Sequence, residues 1–255
     1  MSPRAAALLT AFGLAAWATP AGATWSLVAV DPATGEVGAA AATCGKMVWF
    51  IAEVVPGRGA VVAQADTLLD GRDLGAEGLA AGLTPAEILD ELTDPAFDPA
   101  FETRQYGVAA LSGEAAAFTG AETEDVAISM GDGSLTVQGN LLTGAAVVED
   151  SFAAFQDAEG LPMEERLMRG LEAGAAQGGD SRCPPERAAK SAFITVATED
   201  GELRTWRDRG YGPPIEGLRA ELDGSGCASA PGQGSGQWLW ALAGLGVLRR
   251  RRRAA

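Results

Sequence analysis

The order of strand-like and helix-like segments is the feature that most restricts the fold of this chain. Segments with the pattern of β-strands come in three groups, and two pairs of helical segments separate these groups. In the first pair, one helix is predicted over residues 71–81 and ends at Gly82, and the next begins at residues 84–87 (TPAE), which have the form of a capping box. The second pair is predicted over residues 145–158 and 162–176. Strand groups separated by helix pairs do not suit a parallel sheet built from βαβ units. The order therefore predicts an α+β fold, in which antiparallel sheets carry helices on their outer faces.

Residues 1–23 have the composition of an export signal. Arg4 precedes an apolar stretch over residues 5–17, and small residues occupy positions 21–23. Cleavage after Ala23 would make Thr24 the first residue of the mature chain. Such a threonine combines a hydroxyl nucleophile with an α-amine that can act as its base. Residues 24–223 are then predicted to form one globular domain.

The C-terminal end differs in composition from this domain. Residues 224–237 are rich in Gly, Ser, Ala and Pro, which predicts a flexible linker that contains Cys227. An apolar run over residues 238–248 is followed by five arginines at positions 249–253. A helix of this length spans about 16 Å, roughly half of a bilayer core. Residues 238–255 are therefore predicted to be a transient sorting tail, with a retained tail anchor as the alternative.

The charge of the chain limits the partners it can bind. The two end segments hold six of the 19 basic residues and none of the 34 acidic residues. This leaves 13 basic and 34 acidic groups between them, a net charge of −21. Such a surface repels nucleic acid and anionic lipid. It favours a neutral or cationic ligand, so we expect a small-molecule or cell-wall-derived ligand. A homodimer is an open alternative that the charge does not decide.

Histidine is absent from the chain, which removes several kinds of active site. A Ser-His-Asp triad, a Cys-His dyad and a HExxH zinc site all require it. Acid–base chemistry must then use carboxylates, a tyrosine, the α-amine or one of the two lysines, Lys46 and Lys190. We expect neither a metal ion nor a cofactor.

Three cysteines occur, at positions 44, 183 and 227. In an exported protein a disulfide between Cys44 and Cys183 is the expected arrangement, and Cys227 is left over beside the tail. The alternative, Cys44 as a nucleophile, lacks a histidine that would activate it.

Four polar clusters lie beside glycines or at the ends of predicted strands. One interpretation is structural, because buried polar groups at strand ends need hydrogen-bond partners and often form turns. The other interpretation is that the clusters converge on a cleft near the N-terminal strand. The residues predicted to bind a ligand there are Gln64, Asp66, Arg104, Gln138, Asp180 and Arg182.

Three further residues have predicted roles in catalysis. Asn140 can donate a side-chain N–H to a developing oxyanion, as acyl transfer requires. Lys46 could lower the pKa of the Thr24 amine through its charge. Ser26 lies on the same strand face as Thr24 and is a second candidate nucleophile or an orienting hydroxyl.

The motifs, taken in order, resemble the Domain of Unknown Function 1028 family over residues 24–196. The resemblance is carried by TWSLVAVDP at 24–32, GEVG at 35–38, QA at 64–65, RQYGV at 104–108, FTG at 118–120, QGN at 138–140, and GGDSR at 178–182 before SA at 191–192. It implies the fold of N-terminal-nucleophile (Ntn) hydrolases, a four-layer αββα sandwich. No reaction is attached to the family as such.

The tail has a resemblance of its own, to the myxobacterial C-terminal sorting signal (MYXO-CTERM). The segments that match are residues 226–227, the small-residue spacer, the apolar run and the arginines. The resemblance implies that the tail is removed, that Cys227 carries a lipid, and that the protein stays at the outer membrane or cell surface.

Two hypotheses for the function follow. The first is an exported, surface-anchored amidohydrolase of the Ntn type, in which Thr24 attacks an amide after signal cleavage. The second is a non-catalytic surface module that uses the same cleft to bind a cell-wall or small cationic ligand.

Overall fold

Ten strands form two antiparallel sheets in a computed structural model that describes residues 24–209 and 212–227. The larger sheet has the strand order β10-β9-β2-β1-β8-β7, and the smaller has the order β3-β4-β5-β6. The strands are β1 (Thr24–Asp31), β2 (Glu36–Thr43), β3 (Ala52–Val55), β4 (Gly59–Ala65), β5 (Arg104–Ala110), β6 (Ala116–Thr119), β7 (Ile128–Asp132), β8 (Leu135–Asn140), β9 (Ser191–Ala197) and β10 (Leu203–Asp208).

Helices cover the outer face of each sheet. The helices are α1 (Leu69–Ala81), α2 (Pro85–Leu92), α3 (Ala146–Asp157), α4 (Met163–Ala176) and α5 (Pro214–Cys227). The first two pack on the four-stranded sheet, and the other three pack on the six-stranded sheet. A third apolar cluster lies between the sheets. The layers are thus helix, sheet, sheet, helix, and the predicted α+β sandwich is confirmed.

The alternation of side chains along β1 decides which residues face the interior between the sheets. Trp25 and Leu27 lie in the cluster under helices α3 and α4, whereas Val28 and Val30 lie in the cluster between the sheets. Because successive strand residues point to opposite faces, Thr24 and Ser26 face the four-stranded sheet.

Local helix signals in the sequence agree with the structure. Thr84 caps α2, since the Glu87 N–H donates to its Oγ1 at 3.3 Å and the Glu87 carboxylate accepts from the Thr84 N–H at 2.9 Å. Helix α1 ends at Gly82, whose φ of 85° is in the left-handed region. The last helix differs from expectation, because α5 continues to Cys227 and includes the first residues of the predicted linker.

Cys44 and Cys183 form the expected disulfide, with their Cα atoms 5.5 Å apart. It joins the end of β2 to the loop between α4 and β9. The predicted signal segment, most of the linker and the sorting tail lie outside the described residues, as does the side chain of Cys227. Within residues 24–209 and 212–227, no helix is both long and apolar enough to cross a bilayer.

The disulfide should contribute strongly to stability, because it closes a loop with a sequence separation of 139 residues. We expect the C44A/C183A double variant to lose about 2–5 kcal/mol of unfolding free energy in urea denaturation. A reducing agent should destabilise the wild type by a similar amount and leave the double variant unchanged. Equal midpoints for oxidised and reduced wild type would contradict this expectation.

Candidate functional site

A row of four buried polar residues crosses one end of the six-stranded sheet. Thr24 pairs with Asn140 of β8 on one side and with Thr43 of β2 on the other, and Thr43 pairs with Ser191 of β9. All four are almost fully buried. Their strand neighbours Trp25, Ala42 and Ala192 face the helices, so these four side chains face the other sheet. We call this set the upper row.

A second polar row lies opposite, at the same end of the four-stranded sheet. It consists of Gln64 of β4, Gln105 of β5 and Thr119 of β6. Gln105 is the cross-strand partner of Gln64 on one side and of Thr119 on the other. Gln64 and Gln105 are fully buried, whereas Thr119 is partly buried. We call this set the lower row.

Hydrogen bonds connect the lower row with β1 and β8. Gln64 Nε2 donates to the Thr24 carbonyl at 3.3 Å and to Gln105 Oε1 at 2.7 Å. Ser26 Oγ donates to Gln64 Oε1 at 2.6 Å and accepts from Gln138 Nε2 at 2.6 Å. Asn140 Nδ2 donates to Gln105 Oε1 at 3.2 Å. The result is one continuous network that begins directly beneath Thr24.

Backbone carbonyls fix the orientation of these amides. Gln105 Nε2 donates to the carbonyls of Gly139 at 2.9 Å and Ile128 at 3.2 Å, and a carbonyl can only accept. Its Oε1 must therefore face Asn140, which presents Nδ2 in return. Asn140 Oδ1 is buried and has no hydrogen-bond partner among the described residues.

Gly107 allows the two sheets to approach closely within the network. A Cβ atom at this position would lie 2.3 Å from Gln138 Oε1, well inside van der Waals contact. A larger residue would displace the Gln138 amide from Ser26.

The residue that follows the last network amide of β4, and the one that follows that of β8, have backbone angles in the left-handed region. Ala65 follows Gln64 with φ of 69°, and Leu141 follows Asn140 with φ of 50°. Non-glycine residues rarely adopt this conformation, and it concentrates at sites where the surrounding structure holds the backbone in place. The chain turns away directly after each amide, so both rows stay at the rim of the sandwich.

Asp180 closes the upper row from the side of β2. Its side chain is buried and accepts from the Cys44 N–H at 2.5 Å and from Arg182 Nη2 at 2.8 Å. Thr43 Oγ1 lies within hydrogen-bonding distance of both Asp180, at 3.4 Å, and Arg182, at 3.3 Å. The disulfide beside them ties this loop to β2.

Arg104 and Asp66 form a separate ion-pair cluster. Arg104 precedes Gln105 on β5, so its side chain emerges on the opposite face. Its guanidinium donates to Asp98 at 2.8 Å and contacts Asp66 at 2.7 Å. The Arg104 hydrogen bond lowers the pKa of the Asp98 carboxyl below its usual range.

The structure brings together some of the predicted residues and leaves others apart. Thr24, Gln64, Gln138 and Asn140 meet in the network, and Asp180 and Arg182 adjoin it at Thr43. Arg104 and Asp66 lie apart, in their own ion-pair cluster. Lys46 follows the end of β2 and is exposed, and it forms no ion pair with a described residue. Sequence reasoning missed the roles of Thr43, Gln105, Thr119 and Ser191.

Two other features of the structure lie apart from these rows. A cavity of about 650 Å³ lies between α4 and α5 and is lined by residues such as Glu172, Ile215 and Arg219. Tyr106 faces the helices α1 and α2, where burial raises its pKa to about 12, so it stays neutral. Among the described residues, no group of three or more acidic or cysteine side chains could hold a metal ion.

The fold and the buried amide network define an α+β sandwich protein with a polar site at one end of its paired sheets. The model of the Family of unknown function (DUF1028) matches residues 24–211, and the chain belongs to this family. Among solved structures, protein SPO2555 from Silicibacter pomeroyi, which carries the DUF1028 family model, is similar with 28% sequence identity and a TM-score of 0.69. The match covers 80% of this chain and 89% of that chain. No curated protein shows a significant match.

The Asp98–Arg104 pair should make stability depend on pH. Because the pKa of Asp98 is lower in the folded state, its contribution is present above the unfolded value of about 3.9 and is lost as pH falls through the folded value. We expect D98N to reduce the unfolding free energy by about 1–3 kcal/mol at pH 7, with the difference shrinking below about pH 4.

Denaturant titrations between pH 2.5 and 7 would measure this difference. The D66N variant is the matched control, since Asp66 pairs with the same arginine but its side chain is 47% exposed. Its effect should stay below about 1 kcal/mol. A cost of D98N that is constant over the whole pH range would contradict the assignment.

Proposed function

We propose that the mature protein is an amidohydrolase of the N-terminal-nucleophile type with Thr24 as its nucleophile. The observation that carries the proposal is the position of Thr24 at the head of β1, in the upper row, directly opposite Asn140 and above the amide network. The helix–sheet–sheet–helix layering supports the fold type that the sequence implied. The match to the family model begins at Thr24, the residue that signal cleavage would expose.

The reaction we propose uses both groups of Thr24. The hydroxyl passes its proton to the α-amine as Oγ bonds to the acyl carbon of the amide. The ammonium then passes that proton to the amide nitrogen as the C–N bond breaks, and the amine product leaves. Water attacks the resulting ester with the α-amine as base, which releases the acid and restores the hydroxyl.

Asn140 has two roles in this proposal. Gln105 uses one hydrogen of its Nδ2, so the second can stabilise the oxyanion. Its Oδ1, which lacks a partner among the described residues, is an acceptor suited to the Thr24 amine opposite. Gln105 is then a positioning residue, since it decides which atom Asn140 presents.

Ser26 is less suited to nucleophilic attack. It is fully buried, and its hydroxyl both donates to Gln64 and accepts from Gln138 at 2.6 Å. An orienting role within the network fits these contacts better.

The proposal includes the location of the protein. The signal-like residues 1–23 would direct export, and the tail that resembles MYXO-CTERM would be removed, leaving Cys227 as the lipid-bearing residue. The Cys44–Cys183 disulfide is compatible with an oxidising compartment.

The nucleophile can be tested by N-terminal sequencing of the exported protein and labelling with an electrophilic β-lactone probe. We expect the mature chain to begin at Thr24, and mass spectrometry to find the probe on Thr24 of the wild type and T24S. T24A should lose both labelling and amide hydrolysis, because no hydroxyl remains.

The S26A variant is the control, and it should still be labelled. A mature chain that begins elsewhere, or T24A that labels as the wild type does, would remove this mechanism. Ligand binding that survives in T24A, together with an unlabelled wild type, would favour the non-catalytic binding module.

The role of Asn140 gives a second test. We expect N140D to raise the pKa of the Thr24 α-amine, because a carboxylate opposite an ammonium favours the charged form. N140L should lower that pKa by removing the acceptor, and should lower kcat by about 10²–10³ through loss of the oxyanion donor. NMR titration of protein labelled with ¹⁵N-threonine would measure the amine directly.

Folding defects alone would not move that pKa in opposite directions. The charged groups beside Thr43 are Asp180 and Arg182, and both are unchanged in the two variants. An amine pKa that is identical in wild type, N140D and N140L would contradict contact between Asn140 and the amine.

A further inference from the structure

The only two lysines of the chain lie at the end of the six-stranded sheet that carries Thr24. Lys190 directly precedes β9, and its N–H donates to the Thr43 carbonyl at 2.7 Å. Lys46 follows Gly45, whose N–H donates to Thr43 Oγ1 at 3.1 Å and whose carbonyl accepts from Ser191 Oγ at 3.1 Å. Both lysines therefore adjoin the β2–β9 half of the upper row.

The lysines are close enough to Thr24 to act on the same small molecule. Neighbouring strands lie about 4.8 Å apart, so the Cα atoms of Thr24 and Ser191, two strands apart, are separated by about 10 Å. The flexible four-carbon stem of a lysine can cover much of that distance. Both side chains are exposed, so they can turn toward the rim of the site.

These lysines are not paired with carboxylates in the described part of the chain, although the protein is strongly acidic. The part of the chain between the two end segments has 34 acidic groups for 13 basic ones. Arginines such as Arg104, Arg204 and Arg219 are each paired with at least two acids. Lys46 and Lys190, in contrast, form no ion pair with any residue that the structure describes.

The positive charge is confined to one side of the site. On the other side, beyond β8, the Leu141 N–H donates to the carbonyl of Glu124, and Glu124 and Asp125 are exposed there. A ligand that spans the upper row therefore meets cations toward β2 and β9 and acids toward β7. The two exposed lysines thus place positive charge on the β2 and β9 side of Thr24, in a domain whose net charge is negative.

We propose that Lys46 and Lys190 bind the carboxylate of the substrate, which is an amide that carries a free carboxylate on its amine side, such as an N-acyl amino acid or the C-terminal residue of a short peptide. This substrate class rests on the proposed hydrolysis at Thr24. The lysines hold the leaving amino acid toward β2 and β9 while the acyl carbonyl lies between Thr24 and Asn140.

Binding can be measured separately from hydrolysis with the exported T24A protein. The probes are N-acetyl-L-alanine and N-acetyl-L-alaninamide, which differ only in the carboxylate, and NMR titration gives both Kd values. We expect the carboxylate to bind about tenfold more tightly, since two exposed ion pairs contribute about 0.2–1 kcal/mol each. The preference should shrink as salt rises from about 0.02 M to about 0.5 M.

Charge variants in the same background locate the effect. K46Q/K190Q should remove the preference for the carboxylate, and each single variant should remove part of it. R58Q is the matched control, because Arg58 is also exposed but lies in the turn before β4, at the opposite end of that strand from Gln64. It should leave the preference unchanged.

Equal Kd values for the two probes, binding of neither, or a preference that survives in K46Q/K190Q would each overturn the proposal. Hydrolysis is then compared in the wild type with the same two amides. Lysine-dependent binding without hydrolysis of either amide would reject the proposed reaction and keep the carboxylate site. Hydrolysis of both amides at equal kcat/KM, with no effect of the lysine variants, would keep the reaction and reject this substrate class.

Discussion

The polar end of this sandwich depends on the hydrogen bonds of the Gln105 side-chain amide. This amide belongs to the four-stranded sheet, yet it donates to the carbonyls of Gly139 and Ile128 in the six-stranded sheet. Its oxygen accepts from Gln64 and Asn140 at the same time. A buried amide that lost these partners would carry the full cost of its desolvation, so the relative position of the two sheets and the orientation of Asn140 are fixed together.

The net charge of the domain and the charges beside Thr24 differ in this protein. The domain as a whole is strongly acidic, and most of its arginines are held in ion pairs with its own carboxylates. At the end that carries Thr24, one carboxylate, Asp180, is buried and saturated by Arg182 and backbone N–H groups, while both lysines remain exposed. Net charge alone suggests a cationic or neutral ligand, whereas the arrangement around the site suggests an anionic group. The lysines lie nearest the proposed chemistry, so they bear more directly on the charge of the ligand than the net charge of the domain does.

Much of the fold was predictable because its signals are local. The capping box at Thr84 and the helix stop at Gly82 depend only on neighbouring residues, and the structure agrees with both. The short strand β3 was missed because its four residues, three partly buried and one exposed, carry no clear alternation in the sequence. The continuation of α5 into Gly- and Ser-rich sequence was also missed, since composition predicted a linker from residue 224.

The site was predictable only in part, because strand pairing is not local. Gln64, Gln138 and Asn140 stand out as amides at strand ends. Gln105 stands beside Arg104, and only the alternation of strand faces decides which of the two faces the interior. Thr43 and Ser191 are single hydroxyl residues with no motif around them, and their place in the upper row follows from register alone.

The upper row draws its four members from β1, β2, β8 and β9, so the chain completes it only when Thr24 pairs with Asn140 and Thr43 pairs with Ser191. Contacts so distant in sequence are slow to form, because the entropy of closing long loops is lost before the contacts compensate for it. The site should thus be one of the last features to appear as the protein folds, and no fragment of the domain would contain it. Under the proposed mechanism, a partly folded chain would contain Thr24 without its surroundings, so chemistry at that residue would begin only after the sandwich has closed.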